Sequence, residues 1–454
     1  MPKKRILILG AGLAGLSAAW HLQRLGIDCQ TFEKEAEVGG LCRSKEINGF
    51  TPLEGRRKSK DGSGPLTGFT FDYSGHLLHF KHSYTFNLIK KLLGRNLVRH
   101  KRDAWIYSFD TYSRYPFQAN LYGLPKSIAK DCLLEFIKIH RNGSKVKRNL
   151  SFRHWINKTF GQGIARHFLI PYNTKFWTVP LNDLTCEWID GLIPIPTLNQ
   201  IIEGTIKESR QNLGYNAFFW YPEKGGIEEI ALVFANQIKN IHLETPISEI
   251  NLKRKEIRLN GRQKERFDFL ISTIPLPEMP YFIQGLPKKI YFLFKRLRWN
   301  SIFNLNLGIE KRLNNSKHWI YFPEKNFCFF RIGFPHNFSS HLTPPNRSSL
   351  YVEVSYSPNK PIDKDNIVLR IKEDLKRTGI LTQSDHIYLE DINDIKYAYP
   401  IYDIHYQQTR EKISKFLAEN NIIPCGRYGS WRYMSMEDVI LDGKNLARRV
   451  LDII

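Results

Sequence analysis

The first 34 residues change their hydrophobic rhythm three times. Residues 5–9, RILIL, form a short apolar run, the pattern of a parallel strand buried on both faces. Residues 16–26, LSAAWHLQRLG, space their apolar positions at helical intervals and stop at Gly26. Residues 27–34, IDCQTFEK, read as a second strand with Glu33 near its end. Amphipathic helical runs dominate from about 85 to 210, among them TFNLIKKLLG, SIAKDCLLEFIKIH and FRHWINKTFGQGIARHFL. Farther on, residues 242–259 read as a turn and a strand pair, and FDFLISTIPLP (267–277) as a buried strand ending at Pro275. RWNSIFNLNLGI (298–309) and SSLYVEVSY (348–356) alternate as strands of a sheet. The chain closes with a strand, IIPCG, and a helix that carries Glu437 and Asp438 in its first turn.

Between the first strand and the first helix lies Gly10-Ala11-Gly12-Leu13-Ala14-Gly15. Gly10 permits a tight turn, Gly12 lets the backbone approach a pyrophosphate, and Gly15 lets helix and strand pack closely. The helix N-terminus favours the phosphates, and Glu33, 18 positions beyond Gly15, can accept from a ribose hydroxyl. This is a dinucleotide cradle, and by itself it leaves nicotinamide and flavin both open.

Residues 33–44, EKEAEVGGLCRS, resemble the extension that follows the ribose acid in flavoproteins of the amine-oxidase and protoporphyrinogen-oxidase superfamily. The resemblance implies FAD, with Lys34, Gly39, Gly40, Leu41 and Arg43 along its pyrophosphate. Two small residues admit backbone N–H groups, and an arginine adds charge-assisted hydrogen bonds. It also implies that residues near Ile247 rebuild the FAD domain after a long excursion. The closing motif, with Gly426, Arg427, Met436, Glu437 and Asp438, then brings a second helix N-terminus to the cofactor. The fold class expected is α/β: a Rossmann-type FAD domain built from residues 1–84, 211–278 and 416–454. Into it are inserted a mostly helical cap (85–210) and a mixed, substrate-facing sheet (279–415).

Within that superfamily, FTFDYSGHLLHFKH (69–82), YPFQANLYGL (115–124), ARHFLIPYNTKFWTVP (165–180) and WYPEKGGIEEI (220–230) resemble UDP-galactopyranose mutases, especially the eukaryotic type. HWIYFPEKNFCFFR (318–331), YAYP (397–400) and GRYGSWRY (426–433) extend the likeness over nearly the whole chain. The resemblance implies that Ser74, Gly75 and His76 lie against the flavin, His76 nearest its reactive face; a satisfied loop histidine is the plainer alternative. It places Tyr115, Phe117, Gln118 and Trp155 at a uridine, and Tyr399 at a diphosphate. It adds Asn173, Lys175, Trp177, Tyr321 and Arg331 as further substrate contacts. Phe117 and Trp155 could stack a base or simply fill a core.

The departures from the mutase pattern bear on substrate. Ile170 stands where the mutases carry a diphosphate-binding arginine before PYN. Glu310 stands where a second arginine would follow the glycine of LNLGI, with Lys311 or Arg312 as candidate substitutes. Ser74 occupies a glycine position of the flap, and the stretch SMEDVILDG is of the shorter, oxidase-like form. Each lost charge-assisted hydrogen bond is worth about 1.5–3 kcal/mol. Three readings therefore stand side by side. One is a flavoenzyme acting on an activated, diphosphate-linked sugar or related intermediate of surface-glycan biosynthesis, by redox or related chemistry. The second is a true mutase, in which reduced flavin N5 attacks an anomeric carbon without net redox change. The third is a flavin-binding scaffold without turnover.

Composition adds little about fold and more about partners. The chain has 67 Lys+Arg against 44 Asp+Glu, a formal charge of +23. That favours an anionic small molecule or lipid-linked sugar and allows contact with a membrane surface. No zinc-finger spacing or arginine-rich helix points to nucleic acid, and no metal-ligand spacing is recognisable. Six scattered cysteines without a CxxC pair suit a reduced, cytoplasmic setting, including the inner face of a membrane. The apolar stretch after MPKKR is too short for a signal sequence. Residues 51–68, rich in Gly, Pro, Ser and basic side chains, read as an exposed insertion before the flap, either tolerated or used for gating or membrane docking. Oligomeric state is not legible.

Overall fold

A computed structural model describes residues 4–47, 68–141, 150–189, 191–208, 213–214 and 216–454. The basic insertion expected at 51–68 lies almost wholly outside the described residues.

The first strand, Ile6–Leu9, is buried at every position, which is why its sequence shows no alternation. It pairs in parallel with Cys29–Phe32 on one side and Phe269–Ser272 on the other. Ile422–Pro424 and the short Ile241–His242 complete a five-stranded parallel sheet. Three widely separated stretches of chain thus make one sheet, as the expected Rossmann-type architecture requires. Helix Leu13–Arg24 and the terminal helix Met436–Ile453 lie together against this sheet, with Ser17 Oγ donating to the Ile440 carbonyl at 2.8 Å. Gly15 is needed at this approach: a Cβ there would stand 1.9 Å from the Gly10 carbonyl oxygen. The stretch after residue 246 forms three antiparallel strands rather than a pair: Ile247–Asn251, Glu256–Leu259 and Gln263–Arg266.

A seven-stranded mixed sheet stands beyond the parallel one. The long strand Trp299–Ile309 is antiparallel to both Ser348–Tyr356 and the edge strand Ile387–Pro400. Beyond Ser348–Tyr356, strands Arg331–Gly333, Trp319–Tyr321, Ala104–Ser108 and Thr111–Arg114 follow in that order. The last two come from the stretch expected to be mostly helical. AWIYS buries Ala104, Ile106, Tyr107 and Ser108 against this sheet, and its β-branched and aromatic content favours a strand there. Leu97–Lys101 likewise pairs with Phe218–Pro222. The rest of the stretch is helical as expected: Ser83–Leu93, Lys126–Arg141, Phe152–Ile164, Ile170–Trp177 and Leu198–Ile206. The run FRHWINKTFGQGIARHFL is not one regular helix; it breaks at Gly161 (φ +75°) and passes through a wide π-helical turn at Ala165–Leu169.

Buried polar groups tie these parts together. Asp72 accepts from Ser44 Oγ (2.7 Å), Tyr221 Oη (2.6 Å) and the Ile227 amide (3.1 Å). Glu437 accepts from the amides of Lys81 (2.8 Å) and His82 (2.9 Å), so the terminal helix fastens the start of helix Ser83–Leu93.

Two predictions follow from this packing. Replacing Gly15 by alanine should cost at least about 1–3 kcal/mol through overpacking, read as a lower urea midpoint of the flavin-loaded protein. Burial lowers the pKa of His21, His79 and His318 to about 4. In the unfolded chain these rings bind protons at about 6.5, so the stability they contribute is present above that pH and lost as pH falls towards 4. Each should cost about 2 kcal/mol at pH 5 relative to pH 7. Burial raises Asp72 to about 6, so its contribution runs the other way, present at low pH and lost as pH rises through 6. Burial also lowers His76, His100 and His336 and raises Glu187, Glu228 and Glu229, so among the described residues six histidines stand against four carboxyl groups; urea unfolding should begin earlier at pH 5 than at pH 7, and His318→Gln should flatten the difference.

Candidate functional site

A groove of about 700 Å³ runs past the carboxyl ends of the parallel strands, from Leu9, Phe32, Thr273 and Cys425. In an open parallel sheet this is where ligands bind. Its floor is backbone: Gly10, Gly12, Gly39 and Gly40 line it, Gly12 and Gly39 bridge, and the Gly39 amide donates to the Ala11 carbonyl at 2.8 Å. Helix Leu13–Arg24 begins here with no side-chain cap and no acidic residue in its first turn, so no side chain claims its end. Leu13 and Ala14 complete that wall, while Gly15 lies behind it, packed on Gly10.

Glu33 is buried at the edge of the groove. Its Oε2 accepts from the Ala11 amide at 2.7 Å and Oε1 from the Glu35 amide at 3.1 Å. Those two bonds fix the carboxylate and leave lone pairs for a ribose hydroxyl. Lys34 lines the same edge, exposed, 3.4 Å from Glu35. Arg43 donates from Nε to the Gly40 carbonyl at 2.9 Å and lies 4.9 Å over the Tyr73 ring. Leu41, Ile247, Arg427 and Met436 line the remaining walls. Gly426 approaches Ala14 so closely that a Cβ would stand 2.4 Å from the Ala14 Cβ. Glu437 and Asp438 are not in the groove. Asp438 caps its own helix, exchanging hydrogen bonds with Ser435, and Glu437 points to the Lys81–His82 amides. A glycine floor, a fixed acid and an arginine at the double glycine fit FAD.

A second cavity of about 290 Å³ opens beyond this groove. Leu41, His76, Ile395, Arg427, Tyr428, Ser435 and Met436 line both and so mark the junction. Burial, reinforced by the Arg427 charge, lowers His76 to about 4, so its ring is neutral at pH 7. Its Nδ1 is buried without a well-formed hydrogen bond among the described residues. The flap that carries it is held from behind. Ser74 adopts φ +70°, which explains why a glycine suits this position. Its amide donates to Asn304 Oδ1 at 3.2 Å and its hydroxyl to Glu353. The Gly75 amide reaches the same carboxylate at 3.4 Å. Glu353 is wholly buried and paired with Arg331, whose NH2 lies 2.8 Å away and whose Nε also donates to it.

Among the expected substrate residues, Tyr115, Gln118, Asn173, Trp177, Tyr321, Arg331 and Tyr399 line the second cavity. Phe117, Trp155 and Lys175 do not. Phe117 stacks on Phe168 at 4.8 Å, and Trp155 packs between Phe152 and Phe160, so both fill core. Lys175 donates to the carbonyls of Phe322 (2.8 Å), Phe329 (3.1 Å) and Glu324, pinning a loop; burial lowers it to about 7. Sequence reasoning missed Glu353, although a carboxylate amid the apolar positions of SSLYVEVSY was a signal. It also missed the aromatic walls supplied by Tyr172, Phe176, Phe330 and Tyr433.

The expectation for Glu310 is corrected by register. Ile302 of the same strand lines the cavity, and Glu310 lies eight residues on, about 27 Å away at 3.4 Å per residue. There it pairs at the surface with His386 (3.2 Å) and Arg347 (3.8 Å), and Lys311 pairs with Asp385. None of these reaches the cavity, so Glu310 does not repel an anion there and Lys311 supplies no replacement. Arg331 and Arg427 are the guanidinium groups that line it. Ile170 packs beside the core and leaves no cation at its position.

The chain is similar over its whole length to a crystal structure of reduced UDP-galactopyranose mutase, at 25% identity and a TM-score of 0.90, covering 95% of that chain. Putrescine oxidase with putrescine bound shares the fold at 13% identity and a TM-score of 0.65, with 99% of each chain covered. Mitochondrial protoporphyrinogen oxidase of Nicotiana tabacum is 33% identical over 93 residues, 20% of this chain and 18% of that one. A zeta-carotene-forming phytoene desaturase of Myxococcus xanthus is 46% identical over 48 residues, 11% of this chain and 9% of the other. The chain thus spans less than a fifth of the length of these curated relatives. Among the described residues, no helix is long and apolar enough to cross a membrane. The profile of the flavin containing amine oxidoreductases matches residues 13–451, and the chain belongs to that family, an FAD-dependent flavoenzyme.

Proposed function

We propose that this flavoenzyme rearranges a diphosphate-linked sugar of the kind consumed in surface-glycan assembly, in the manner of a mutase. One observation carries the reading. Arg427 is partly buried at the junction of the two cavities, and no described carboxylate pairs with it; its Nε donates to the Met434 carbonyl at 2.8 Å, and its guanidinium faces the rings of Tyr399 (5.2 Å) and Tyr433 (5.0 Å). A partly desolvated cation without a counter-charge is costly, and a bound anion offsets that cost. Arg331 adds a second guanidinium, largely balanced by Glu353. The whole-length similarity to a UDP-galactopyranose mutase supports the same substrate class.

FAD would supply a reduced N5 nucleophile for such a rearrangement, or a hydride acceptor for an oxidation. The protein's own groups do the rest. Tyr115, Tyr321 and Tyr399 offer hydroxyls to sugar or phosphate oxygens, and Gln118 and Asn173 offer amides. Phe176, Trp177 and Phe330 exclude water from the same space. Neutral His76 presents a hydrogen-bonding ring where the two cavities meet. A second reading, oxidation of a flat apolar substrate, is favoured by those aromatic walls and by the uncharged Ile170.

Anaerobic absorbance titration with UDP-hexoses separates them. A ligand-dependent change in the spectrum of the reduced enzyme, with pyranose–furanose interconversion, is the expected result. Bleaching of the oxidised flavin by a substrate, with no response to UDP-hexoses, would replace it with the oxidase reading. Tyr399→Phe should weaken UDP-hexose binding by at least about tenfold, the loss of one hydrogen bond to a charged diphosphate, while the flavin spectrum stays unchanged.

A further inference from the structure

Helix Lys288–Lys295, KKIYFLFK, is apolar on two sides. Ile290, Leu293 and Phe294 turn inward with Leu297 and join a core cluster that includes Tyr406, Ile413 and Leu417. Lys288, Tyr291, Phe292 and Lys295 occupy positions i, i+3, i+4 and i+7, a single face. On that face Phe292 is 63% exposed and Tyr291 37%, and Tyr281, in the turn before the helix, is 66% exposed. A solvent face of an ordinary surface helix is polar, and isolated exposed rings need no explanation. These three are not isolated. Tyr291 and Phe292 lie 5.9 Å apart by ring centroids. Lys295 Nζ bonds Tyr281 Oη at 2.9 Å and sits 4.8 and 5.2 Å over the rings of Tyr281 and Tyr291.

The charge on the helix and its C-terminal turn is of one sign: Lys288, Lys289, Lys295 and Arg296 are all exposed. Glu278, three residues before Tyr281, is paired with Lys396 at 3.4 Å. We infer that this face docks on an anionic lipid bilayer, with Phe292 and the two tyrosines seated at the headgroup level and the lysines on lipid phosphates. Tyrosine rings with one wet and one apolar end suit that depth, and each lysine near an acidic leaflet adds attraction. Charge complementarity selects the occupant: a chain of formal charge +23 offers the same sign on this face as overall, which disfavours a second copy of itself. Glu278, Phe282, Lys396 and Tyr397 also line the dinucleotide groove, so the docked face adjoins the cofactor-side opening.

The flavin-loaded full-length protein is sedimented with vesicles of phosphatidylcholine alone and of phosphatidylcholine mixed with phosphatidylglycerol. Binding to the mixed vesicles only, weakened with rising salt, is expected. The double variant Tyr281→Ser, Phe292→Ser should bind at least about tenfold more weakly, because the inserted apolar area is lost. Its visible flavin spectrum should be unchanged, since both side chains are exposed. Lys126→Gln with Lys130→Gln, which removes two positive charges from helix Lys126–Arg141, should leave binding within about twofold, as charges away from the docked face are screened. No binding of the wild type to the mixed vesicles overturns the proposal. Equal binding by the serine variant overturns it too, because diffuse positive charge would then suffice. A wild-type dimer in solution that the serine variant dissociates assigns the face to self-association instead. The assay reads no turnover, so it stands or falls apart from the substrate proposal.

Discussion

A single buried carboxylate, Glu353, holds the two halves of this enzyme in register. It sits at zero exposure inside the seven-stranded sheet and accepts from Arg331, from the Ser74 hydroxyl and from the Gly75 amide. Arg331 lines the second cavity, and Ser74 and Gly75 lead straight into His76 at the junction with the cofactor groove. One side chain therefore fixes both a wall of the second cavity and the loop at its junction with the cofactor groove. The arrangement tolerates no half-measure. A buried ion pair contributes little net stability against an apolar pair of the same shape, but a buried carboxylate left without its arginine is strongly destabilising. Its persistence here is best understood as positioning.

The flap shows how that positioning works on the backbone. Ser74 sits at φ +70°, a conformation that costs an L-residue about 1 kcal/mol relative to glycine. Its hydroxyl donates to Glu353, a charge-assisted bond that offsets the strain. Glycine would relieve the backbone and lose the bond; serine accepts the strain and gains the anchor. Asp72, two residues earlier, adds a second tether to Ser44, Tyr221 and Ile227, so the strand and the flap that follows it are fixed from two directions.

The cofactor groove was legible in the sequence because it is built from backbone. Gly10, Gly15, Gly39 and Gly40 are constrained by what a Cβ would strike within a few residues or one strand away, and that constraint is visible in residue identity alone. The second cavity was legible only in part, because its lining depends on register across long pairings. Glu310 looked like an intruder until the strand Trp299–Ile309 placed it about 27 Å from Ile302. Phe117, Trp155 and Lys175 carried the right chemistry for a substrate site, yet their helices turn them into core or onto loop carbonyls. Nothing in the local sequence separates a tryptophan that stacks a base from one that fills a core. The strands at 97–101 and 104–108 were hidden for a related reason: each pairs with a distant partner, at 218–222 and 319–321, and the local hairpin of 104–108 with 111–114 is seated only through that contact.

The two cavity arginines differ in a way that orders their roles. Arg331 arrives already paired, so its charge is largely spent on Glu353 and what remains is directional: hydrogen-bond donors held at a fixed angle. Arg427 has no such partner among the described residues and rests against tyrosine rings, where a guanidinium keeps most of its charge available. An anion entering from the second cavity is therefore drawn towards Arg427, at the junction, and oriented by Arg331 on the way. The rings are interleaved with these cations and not set apart from them: Phe330 lies 5.8 Å from the Arg331 guanidinium carbon, and Phe176 packs 4.8 Å from Tyr399, the ring that Arg427 faces.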